Sequence, residues 1–554
     1  MTASAGRWFI LILLSAVTLV YFNSFGGVFL FDDERFVMQN PFYKTLWPLT
    51  TPMLNPLSIM LPLRGLTFAV NFRISGNEPW SYHLFNLLVH LGATLALYAL
   101  VARLLRLGVF ARKFEASAPW IAFFTALLWG VHPLQTQSVT YIYQRSESMM
   151  GFFTLASLYA FVRHLERPAL KMALVSVCCA VLAALSKQVS YFIPLMALLI
   201  DWFCVSGALK KALKERLALY AGLFLVWPVI IYFNFIAADK WFQIGFDIGI
   251  SPVRYAMTQL NVIAHYLLIS VVPYRLVFDY GWPVAKSFTE VIPGALVVFP
   301  LLALGGWLLC RKSPLALLFA FFFLPLVPTS TFLPFSDIAF ENRMYLSLAP
   351  VVLGAVLLFA RRWDLRAPAA WLVPGLCAAS LGVLAVSRNS DFSSQIAMWS
   401  DNAEKTPHNS RVLLNLGYAH YFTGEYTKTI EYLRRSLAIK RDSVDGLNIL
   451  GSTYERLGRM SEAVALFEEA MKLEPDNHET NNNYAHVLFG LGRVKEAIER
   501  QKVAIRFNPY MPGYRINMAV YLRAVGDEEG ARREMAEHER LRKYDIGPGA
   551  RTSY

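Results

Sequence analysis

Two adjacent carboxylates follow the first long apolar segment of the chain. Asp32 and Asp33 stand in the sequence Phe31-Asp-Asp-Glu-Arg35, directly after an apolar run over residues 8–25. A carboxylate held at a membrane surface can accept a proton from a hydroxyl group, which is the chemistry of a general base. Asp32 and Asp33 are therefore the first candidate catalytic residues. Two neighbouring aspartates alone are too few to define a metal site.

Polar residues interrupt the apolar sequence at three further places, all predicted to lie at the same membrane surface as the aspartates. Ionisable residues at span ends are costly to bury and are often functional. For any single one, solvation at the interface is the simpler explanation. Several cations near an aspartate pair nevertheless indicate a phosphate-binding site, because arginine and lysine suit phosphate. The candidates for binding the substrate and its phosphate are Arg64, His83, His132, Arg145, Lys187, Glu341 and Arg343.

The composition of the chain requires a membrane to position these residues. Of the 554 residues, 56% are hydrophobic and only 16% are charged, which excludes an ordinary soluble enzyme. Apolar runs of about 17 residues or more recur, and each is long enough to cross the hydrocarbon core. The net charge of +13 lies largely in short loops between these runs, so it indicates membrane orientation rather than nucleic-acid binding.

These basic loops predict which residues face outward. If they stay in the cytoplasm, the N-terminus lies inside and Asp32 lies outside. The apolar segment 255–272 breaks the alternation of loops, and we interpret it as interfacial or re-entrant. About eleven crossings result, with the C-terminal tail outside. The basic residues are Arg103, Arg106, Arg112 and Lys113; Arg163, Arg167 and Lys171; Lys210, Lys211, Lys214 and Arg216; Arg311 and Lys312; and Arg361, Arg362 and Arg366.

The first apolar run is predicted to be an uncleaved span rather than a signal peptide. It has no convincing pair of small residues for cleavage, and Tyr21, Phe22 and Asn23 are poor neighbours for such a site. We therefore expect this run to remain part of the membrane bundle.

The tail contains a repeat with a period of about 34 residues, the spacing of tetratricopeptide repeats. Small residues let the two helices of each hairpin approach, and a proline ends the second helix. Three to four repeats are predicted. One repeat carries Leu450, Gly451, Tyr454, Gly458, Ala463, Phe467, Ala470 and Pro475; the next carries Ala485, Leu488, Gly492, Ala497, Ala504 and Pro509.

Asn415, Asn483 and Asn517 occupy the same position on the first helix of their repeats, on the side expected to face the groove. An amide side chain both donates and accepts hydrogen bonds, so a column of asparagines could hold a peptide backbone. We therefore predict an acceptor-binding groove along these residues. The alternative is that asparagine is simply common at this position of the repeat.

Together these patterns predict an all-α protein, a polytopic membrane helix bundle followed by a tetratricopeptide α-solenoid. The predicted divisions are residues 1–390 for the membrane domain and 391–409 for a connecting helix. Residues 410–545 form the repeats, and residues 546–554 form a short tail.

Several segments in order along the chain resemble the tetratricopeptide-containing transmembrane O-mannosyltransferase family. They are Phe31-Asp-Asp-Glu, residues 82–90, residues 132–141, residues 341–346 and the repeat tail. That family belongs to the polytopic glycosyltransferases with lipid-phosphate-sugar donors, and the resemblance implies that the acidic pair Asp32 and Asp33 is catalytic. The chain departs from the family at Leu61, where relatives commonly carry arginine, and at Gln137, where many carry glutamate.

The resemblance implies a membrane glycosyltransferase that moves a sugar from a polyprenyl-phosphate-linked donor to a protein hydroxyl on the outer side. Its partners would be the lipid-linked donor, membrane lipid and an acceptor protein held by the repeats, with no nucleic acid. The expected location is a bacterial inner membrane with a periplasmic tail. No cofactor is assigned, and a divalent metal ion beside the aspartates stays open. Two alternatives remain: a non-catalytic scaffold for envelope or export complexes, and a transferase acting on lipid or polysaccharide.

The predicted orientation can be tested with a reporter that fluoresces only in the cytoplasm. Because the basic loops place the tail outside, a fusion after Tyr554 should stay dark, whereas a fusion within the loop at Lys211 should be bright. A bright fusion after Tyr554 would contradict both the number of crossings and an external position of Asp32.

Overall fold

The computed structural model describes residues 3–55, 59–236 and 249–542, and it consists of two compact units, Met1–Ser394 and Gln395–Tyr554. The division falls within the predicted connecting segment 391–409. The predicted tail 546–554 lies outside the described residues. The regular secondary structure of the described residues is helical, so the predicted fold class is confirmed.

The first unit contains eighteen described α-helices joined by short 3-10 and π turns. They are α1 (Ala3–Tyr21), α2 (Thr50–Met53), α3 (Pro62–Ser75), α4 (Trp80–Leu104), α5 (Gly108–Phe114), α6 (Ala118–Gly130), α7 (Thr136–Val139), α8 (Arg145–Glu166), α9 (Leu170–Ser186), α10 (Ile193–Asp201), α11 (Leu209–Glu215), α12 (Leu217–Phe224), α13 (Val226–Ile231), α14 (Pro252–Val271), α15 (Ile292–Cys310), α16 (Ala316–Phe323), α17 (Met344–Arg362) and α18 (Leu372–Ser390).

Within the described residues, 7 helical segments are long and apolar enough to cross a membrane. Three shorter apolar helices, Ala118–Gly130, Leu170–Ser186 and Ala316–Leu326, accompany them. The predicted membrane bundle is thus confirmed, and the number of crossings stays a prediction. The seven segments are Gly6–Gly26, Trp80–Leu104, Gln188–Ser206, Leu217–Asn234, Thr289–Cys310, Glu341–Arg362 and Pro368–Ser393.

A buried histidine holds three helices of this bundle together. His90 on α4 pairs through Nδ1 with the Tyr345 hydroxyl of α17 and through Nε2 with the Gly130 carbonyl of α6, each at 2.9 Å. The indole N–H of Trp129 also donates to the Tyr345 carbonyl at 2.9 Å. Close approach depends on small residues, since a Cβ at Gly151 would strike the Tyr345 ring. Polar and small residues therefore fix the helices that carry the candidate site.

The second unit begins with α19 (Gln395–Lys405) and continues as four helical hairpins. The turn glycines Gly424, Gly458, Gly492 and Gly526 have φ between 73° and 84°, a left-handed conformation that glycine adopts without steric cost. The hairpins confirm the predicted repeats. They are α20 (Ser410–Phe422) with α21 (Tyr426–Ile439), α22 (Val444–Arg456) with α23 (Met460–Leu473), α24 (His478–Gly490) with α25 (Val494–Phe507), and α26 (Pro512–Ala524) with α27 (Glu528–Arg542).

The contacts between the two helices of a repeat predict which glycines can be replaced by a larger residue. A Cβ at Gly451 would lie 2.9 Å from the buried Phe467 ring, whereas a Cβ at Gly490 meets nothing within 4 Å. Gly451→Leu should lower the free energy of unfolding of the tail by about 3 kcal/mol through overpacking. Limited proteolysis of the full chain should then cut the tail faster in Gly451→Leu than in the control Gly490→Leu. Equal proteolysis of the two variants would show that this contact does not limit the stability of the repeats.

Candidate active site

Asp33 is fully buried and holds the loop that follows α1. Its Oδ2 accepts a hydrogen bond from the backbone N–H of Leu30 at 3.0 Å, and its Oδ1 accepts one from the backbone N–H of Tyr143 at 2.6 Å. Burial raises the pKa of Asp33 well above its usual range, while the two N–H donors act in the opposite direction. Because both oxygens bind backbone, Asp33 connects this loop to the segment before α8.

Asp32 is partly exposed and lies beside Tyr141. Its backbone N–H donates to the Tyr141 hydroxyl at 3.1 Å. The preceding residue, Phe31, has φ 49°, a left-handed conformation that is rare for a bulky side chain. Such strain persists where the surrounding structure enforces it, and it is common at functional sites. Of the two predicted catalytic residues, Asp32 is therefore the one that a substrate can reach.

Residues 135–145 form hydrogen bonds with several of the polar groups predicted from the sequence, and we call this segment the junction. Asn86 donates to the Val139 carbonyl at 3.0 Å, and Tyr143 donates to Asp33 as described. Gln137 uses both ends of its amide: its Nε2 donates to the Phe278 carbonyl at 3.0 Å, and its Oε1 accepts from the Asn342 N–H at 2.9 Å. The structure thus brings groups that are far apart in the sequence to one short segment.

Arg64 contacts this junction through Tyr143. Its guanidinium stacks over the Tyr143 ring at 4.1 Å, and its side chain is 3% exposed. Its Nε is buried and has no hydrogen-bond partner within the described residues. The negative charge of Asp32 acts on this guanidinium. An anionic ligand bound near Asp32 could therefore accept a hydrogen bond from the Arg64 Nε–H, which is already shielded from water.

Arg145 is enclosed by the protein and serves as an internal link. Its Nη1 donates to Asn71 Oδ1 at 2.5 Å, and its Nη2 donates to the Tyr82 carbonyl at 3.1 Å. The guanidinium also packs over the Phe68 and Phe85 rings at 4.4 and 4.7 Å. These contacts tie α8 to α3 and α4, and phosphate binding by Arg145 stays a prediction.

Lys187 and Arg343 also have protein partners. The Lys187 ammonium pairs with the buried Glu147 carboxylate. Arg343 donates to the backbone carbonyls of Thr329 at 3.1 Å and Ile338 at 2.8 Å, and to that of Asp337. These contacts fix neighbouring segments, and phosphate binding by either side chain stays a prediction.

The two predicted histidines are buried and bind backbone. His83 Nε2 lies 3.2 Å from the Gly27 carbonyl oxygen. His132 Nε2 lies 3.2 Å from the Ser270 carbonyl oxygen, and its Nδ1 accepts from the Leu134 N–H at 3.2 Å. Both histidines therefore join the site loops to the helices behind them.

Glu341 binds a segment that sequence reasoning missed. Its buried Oε1 accepts from the backbone N–H of Val277 at 2.5 Å and from the Tyr280 hydroxyl at 3.0 Å. Phe278, between them, packs its ring against Tyr141 at 5.0 Å. The segment 277–280 thus lies between Glu341 and the Asp32 loop. Its only signal in the sequence was a cluster of aromatic and acidic residues after the predicted interfacial helix.

The described residues form no ready-made metal site at the aspartate pair, and a divalent metal ion there stays an open possibility. A divalent cation prefers several oxygen ligands, and Asp33 uses both of its oxygens for backbone N–H groups. Within residues 3–55, 59–236 and 249–542, no three His, Cys, Asp or Glu side chains are grouped to hold a metal ion. We therefore derive no chemical step from a metal at this position.

In the repeat unit, the three predicted groove asparagines all form hydrogen bonds within the repeats. Asn483 Nδ2 donates to Asn448 Oδ1 at 3.2 Å, and Asn517 Nδ2 donates to Asn482 Oδ1 at 2.9 Å. Asn415 instead donates to a carbonyl of its own helix at 2.8 Å. Two of the three predicted asparagines thus link consecutive repeats, and their role in binding an acceptor stays a prediction.

Comparison with known proteins supports the sequence interpretation. Residues 410–443 and 456–509 match family descriptions of the tetratricopeptide repeat. The chain is 24% identical over 438 residues to the protein O-mannosyl-transferase F38B6.6 of Caenorhabditis elegans, covering 74% of this chain and 59% of that protein. It is 22% identical to the protein O-mannosyl-transferase TMTC3 of Mus musculus, covering 84% of this chain and 54% of that protein.

The chain thus spans little more than half the length of these relatives. Among solved structures, it is similar to "Crystal structure of MamA", with 18% identity, a TM-score of 0.25, and coverage of 29% of this chain and 92% of that one. A TM-score of this size supports no functional argument. The predicted resemblance is confirmed by the sequence relatives: the chain is similar over most of its own length to proteins named protein O-mannosyl-transferases, and its tail consists of tetratricopeptide repeats.

Proposed function

We propose that this chain is an integral-membrane glycosyltransferase that moves a sugar from a polyprenyl-phosphate-linked donor to a protein hydroxyl on the outer side of the membrane. The observation that carries the proposal is the pairing of a partly exposed Asp32 with a fully buried Asp33 that fixes the same loop. Similarity to relatives named protein O-mannosyl-transferases supports the reaction class. The tetratricopeptide repeats support a protein acceptor, because such repeats form extended concave binding surfaces.

Asp32 acts as the general base in this proposal. Its carboxylate accepts the proton of the acceptor hydroxyl while the hydroxyl oxygen forms a bond to the anomeric carbon of the sugar. The bond between that carbon and the phosphate oxygen breaks, and the phosphate leaves on the lipid. Proton transfer by a positioned side chain contributes roughly 10²–10⁴-fold to such a rate.

Arg64 stabilises the charge that develops on the leaving phosphate. Its guanidinium lies over the Tyr143 ring, and its buried Nε–H has no hydrogen-bond partner within the described chain. Donors that are oriented in advance and shielded from water stabilise such charge without reorganising, by several kcal/mol. Asp33 is the positioning residue, since it binds the backbone on both sides of the loop.

The two aspartates predict different results for the same substitution. Asp32→Asn keeps the side-chain shape but removes the base, so turnover should fall about 10²-fold or more with little change in melting temperature. Asp33→Asn replaces one accepting oxygen with an amide N–H₂ group that must face a backbone N–H, so it should lower the melting temperature as well. The measurement is sugar transfer from a polyprenyl-phosphate-mannose donor to a serine- and threonine-rich peptide by purified protein in lipid nanodiscs.

Transfer at the wild-type rate by both variants would contradict the proposed catalytic role. The non-catalytic scaffold would then be the better explanation. If Asp33→Asn loses activity and Asp32→Asn does not, Asp33 would be the general base and Asp32 the positioning residue.

The two buried arginines are also expected to differ. Arg64→Ala should weaken binding of the lipid-phosphate donor about tenfold, since a charged hydrogen bond contributes about 1.5 kcal/mol or more. Arg145→Ala should lower the free energy of unfolding by about 3 kcal/mol, because Asn71 Oδ1 and the Tyr82 carbonyl lose their donor in the protein interior. Donor titration and thermal unfolding of both variants separate these effects. Unchanged donor affinity in a stable Arg64→Ala protein would remove Arg64 from the phosphate site.

A further inference from the structure

Three aromatic rings meet at a partly exposed position next to Glu341. His265 on α14 lies 5.2 Å from the Tyr280 ring and 5.2 Å from the Trp282 ring, and the Tyr280 and Trp282 rings are 5.9 Å apart. None of the three side chains is fully buried. We call these three residues the aromatic platform. Tyr280 and Trp282 pack against the apolar core with one side, and part of each ring stays exposed.

A chain of hydrogen bonds fixes how the platform presents its polar atoms. The single proton of the Tyr280 hydroxyl is donated to Glu341 Oε1 at 3.0 Å, so the hydroxyl oxygen accepts from His265 Nε2 at 3.1 Å. His265 is thereby held with its proton on Nε2, and in the neutral ring Nδ1 is left as an acceptor. No residue in the described part of the chain donates to this Nδ1.

A series of contacts connects the platform with the loop that carries Asp32. Phe278 packs its ring on Tyr141, whose hydroxyl accepts the Asp32 N–H. Tyr280 is two residues further along the chain, so its Cα lies at most about 7 Å from that of Phe278. The aromatic surface and its hydrogen-bond acceptor are therefore linked to the candidate base through Phe278 and Tyr141.

We infer that the aromatic platform is a pyranose-binding subsite. The C–H face of a pyranose ring packs against the electron-rich faces of Trp282 and Tyr280, whose quadrupoles attract the weakly positive C–H groups. A ring hydroxyl donates to His265 Nδ1. Apolar surface combined with a few placed polar atoms is the general form of a small-molecule site. This inference rests on the proposed function, because it assigns the position at which the transferred sugar is held.

The matched variants are Trp282→Ala and Trp307→Ala. Trp307 is 54% exposed on the apolar helix α15, so its loss removes an exposed indole away from the platform. Two probes are titrated into the full chain in nanodiscs: a short-chain polyprenyl-phosphate mannose and the same polyprenyl phosphate without sugar. Trp282→Ala should weaken binding of the mannose-bearing probe about fivefold to tenfold and leave binding of the sugar-free probe unchanged. Trp307→Ala should leave binding of both probes unchanged.

A third probe distinguishes the source of the sugar. Methyl α-mannopyranoside carries the ring without phosphate or lipid, and its contact with the protein can be measured by saturation-transfer NMR. A signal that is lost in Trp282→Ala shows that the platform binds the ring of a free sugar as well as that of the donor. A signal absent from all proteins, with the donor effect intact, restricts the platform to the lipid-linked sugar.

Equal effects of Trp282→Ala on both lipid probes, or no effect on any sugar-bearing probe, overturn the inference. If Trp282→Ala lowers the melting temperature, the same titrations are made with Trp282→Phe, which keeps a ring, and His265→Ala, which removes the acceptor. Trp282→Phe should stay within about twofold of wild type, and His265→Ala should repeat the loss for the mannose-bearing probe. Failure of the proposed function would give a different result. The wild-type protein would then bind the donor through the platform but would not transfer the sugar to any peptide.

Discussion

The structure of the candidate site depends on the carboxylate of Asp33, which accepts backbone N–H groups from two distant parts of the chain. One donor, Leu30, belongs to the loop after α1, and the other, Tyr143, belongs to the segment before α8. A fully buried carboxylate is stable only when such donors compensate for its lost hydration. In the loop held by these bonds, Phe31 has a left-handed backbone conformation and Asp32 is partly exposed.

The cations around this loop show why polar residues in a membrane domain cannot be assigned from their type alone. Arg145, Lys187 and Arg343 all suit phosphate by their chemistry, yet each is engaged by protein groups. In a water-poor interior, backbone carbonyls and amides also need donors, and a long basic side chain can satisfy several of them. The Nε of both Arg64 and Arg145 is buried without a hydrogen-bond partner within the described residues. Arg64 differs because it packs on the Tyr143 ring and is acted on by the charge of Asp32, whereas Nη1 and Nη2 of Arg145 donate to Asn71 and Tyr82. The position beside Asp32, rather than the charge of the side chain alone, makes Arg64 the candidate phosphate-binding residue.

The sequence allowed prediction of features that repeat or that depend on composition. The spacing of Gly458 and Gly492 identified the repeat hairpins because only certain residues fit the left-handed turn. The polar group around Gln137 was recognised as unusual, but its two amide bonds to Phe278 and Asn342 depend on tertiary contacts that no local pattern encodes. The same holds for the segment 277–280, which has no regular secondary structure. Its place in the site is set by Glu341, more than sixty residues later in the chain.

The aspartate loop and the segment 277–280 are held by the same kind of interaction. In each case a buried acid, Asp33 or Glu341, accepts a backbone N–H from a stretch that is not part of a long helix. A bond of this kind orders irregular backbone without a helix or sheet, because it satisfies a backbone N–H group that has no partner in secondary structure. The acids of this site therefore divide into buried ones that shape the backbone and one partly exposed one, Asp32, whose carboxylate is in a position to react. That division explains why two adjacent aspartates with the same intrinsic chemistry have different roles in the same loop.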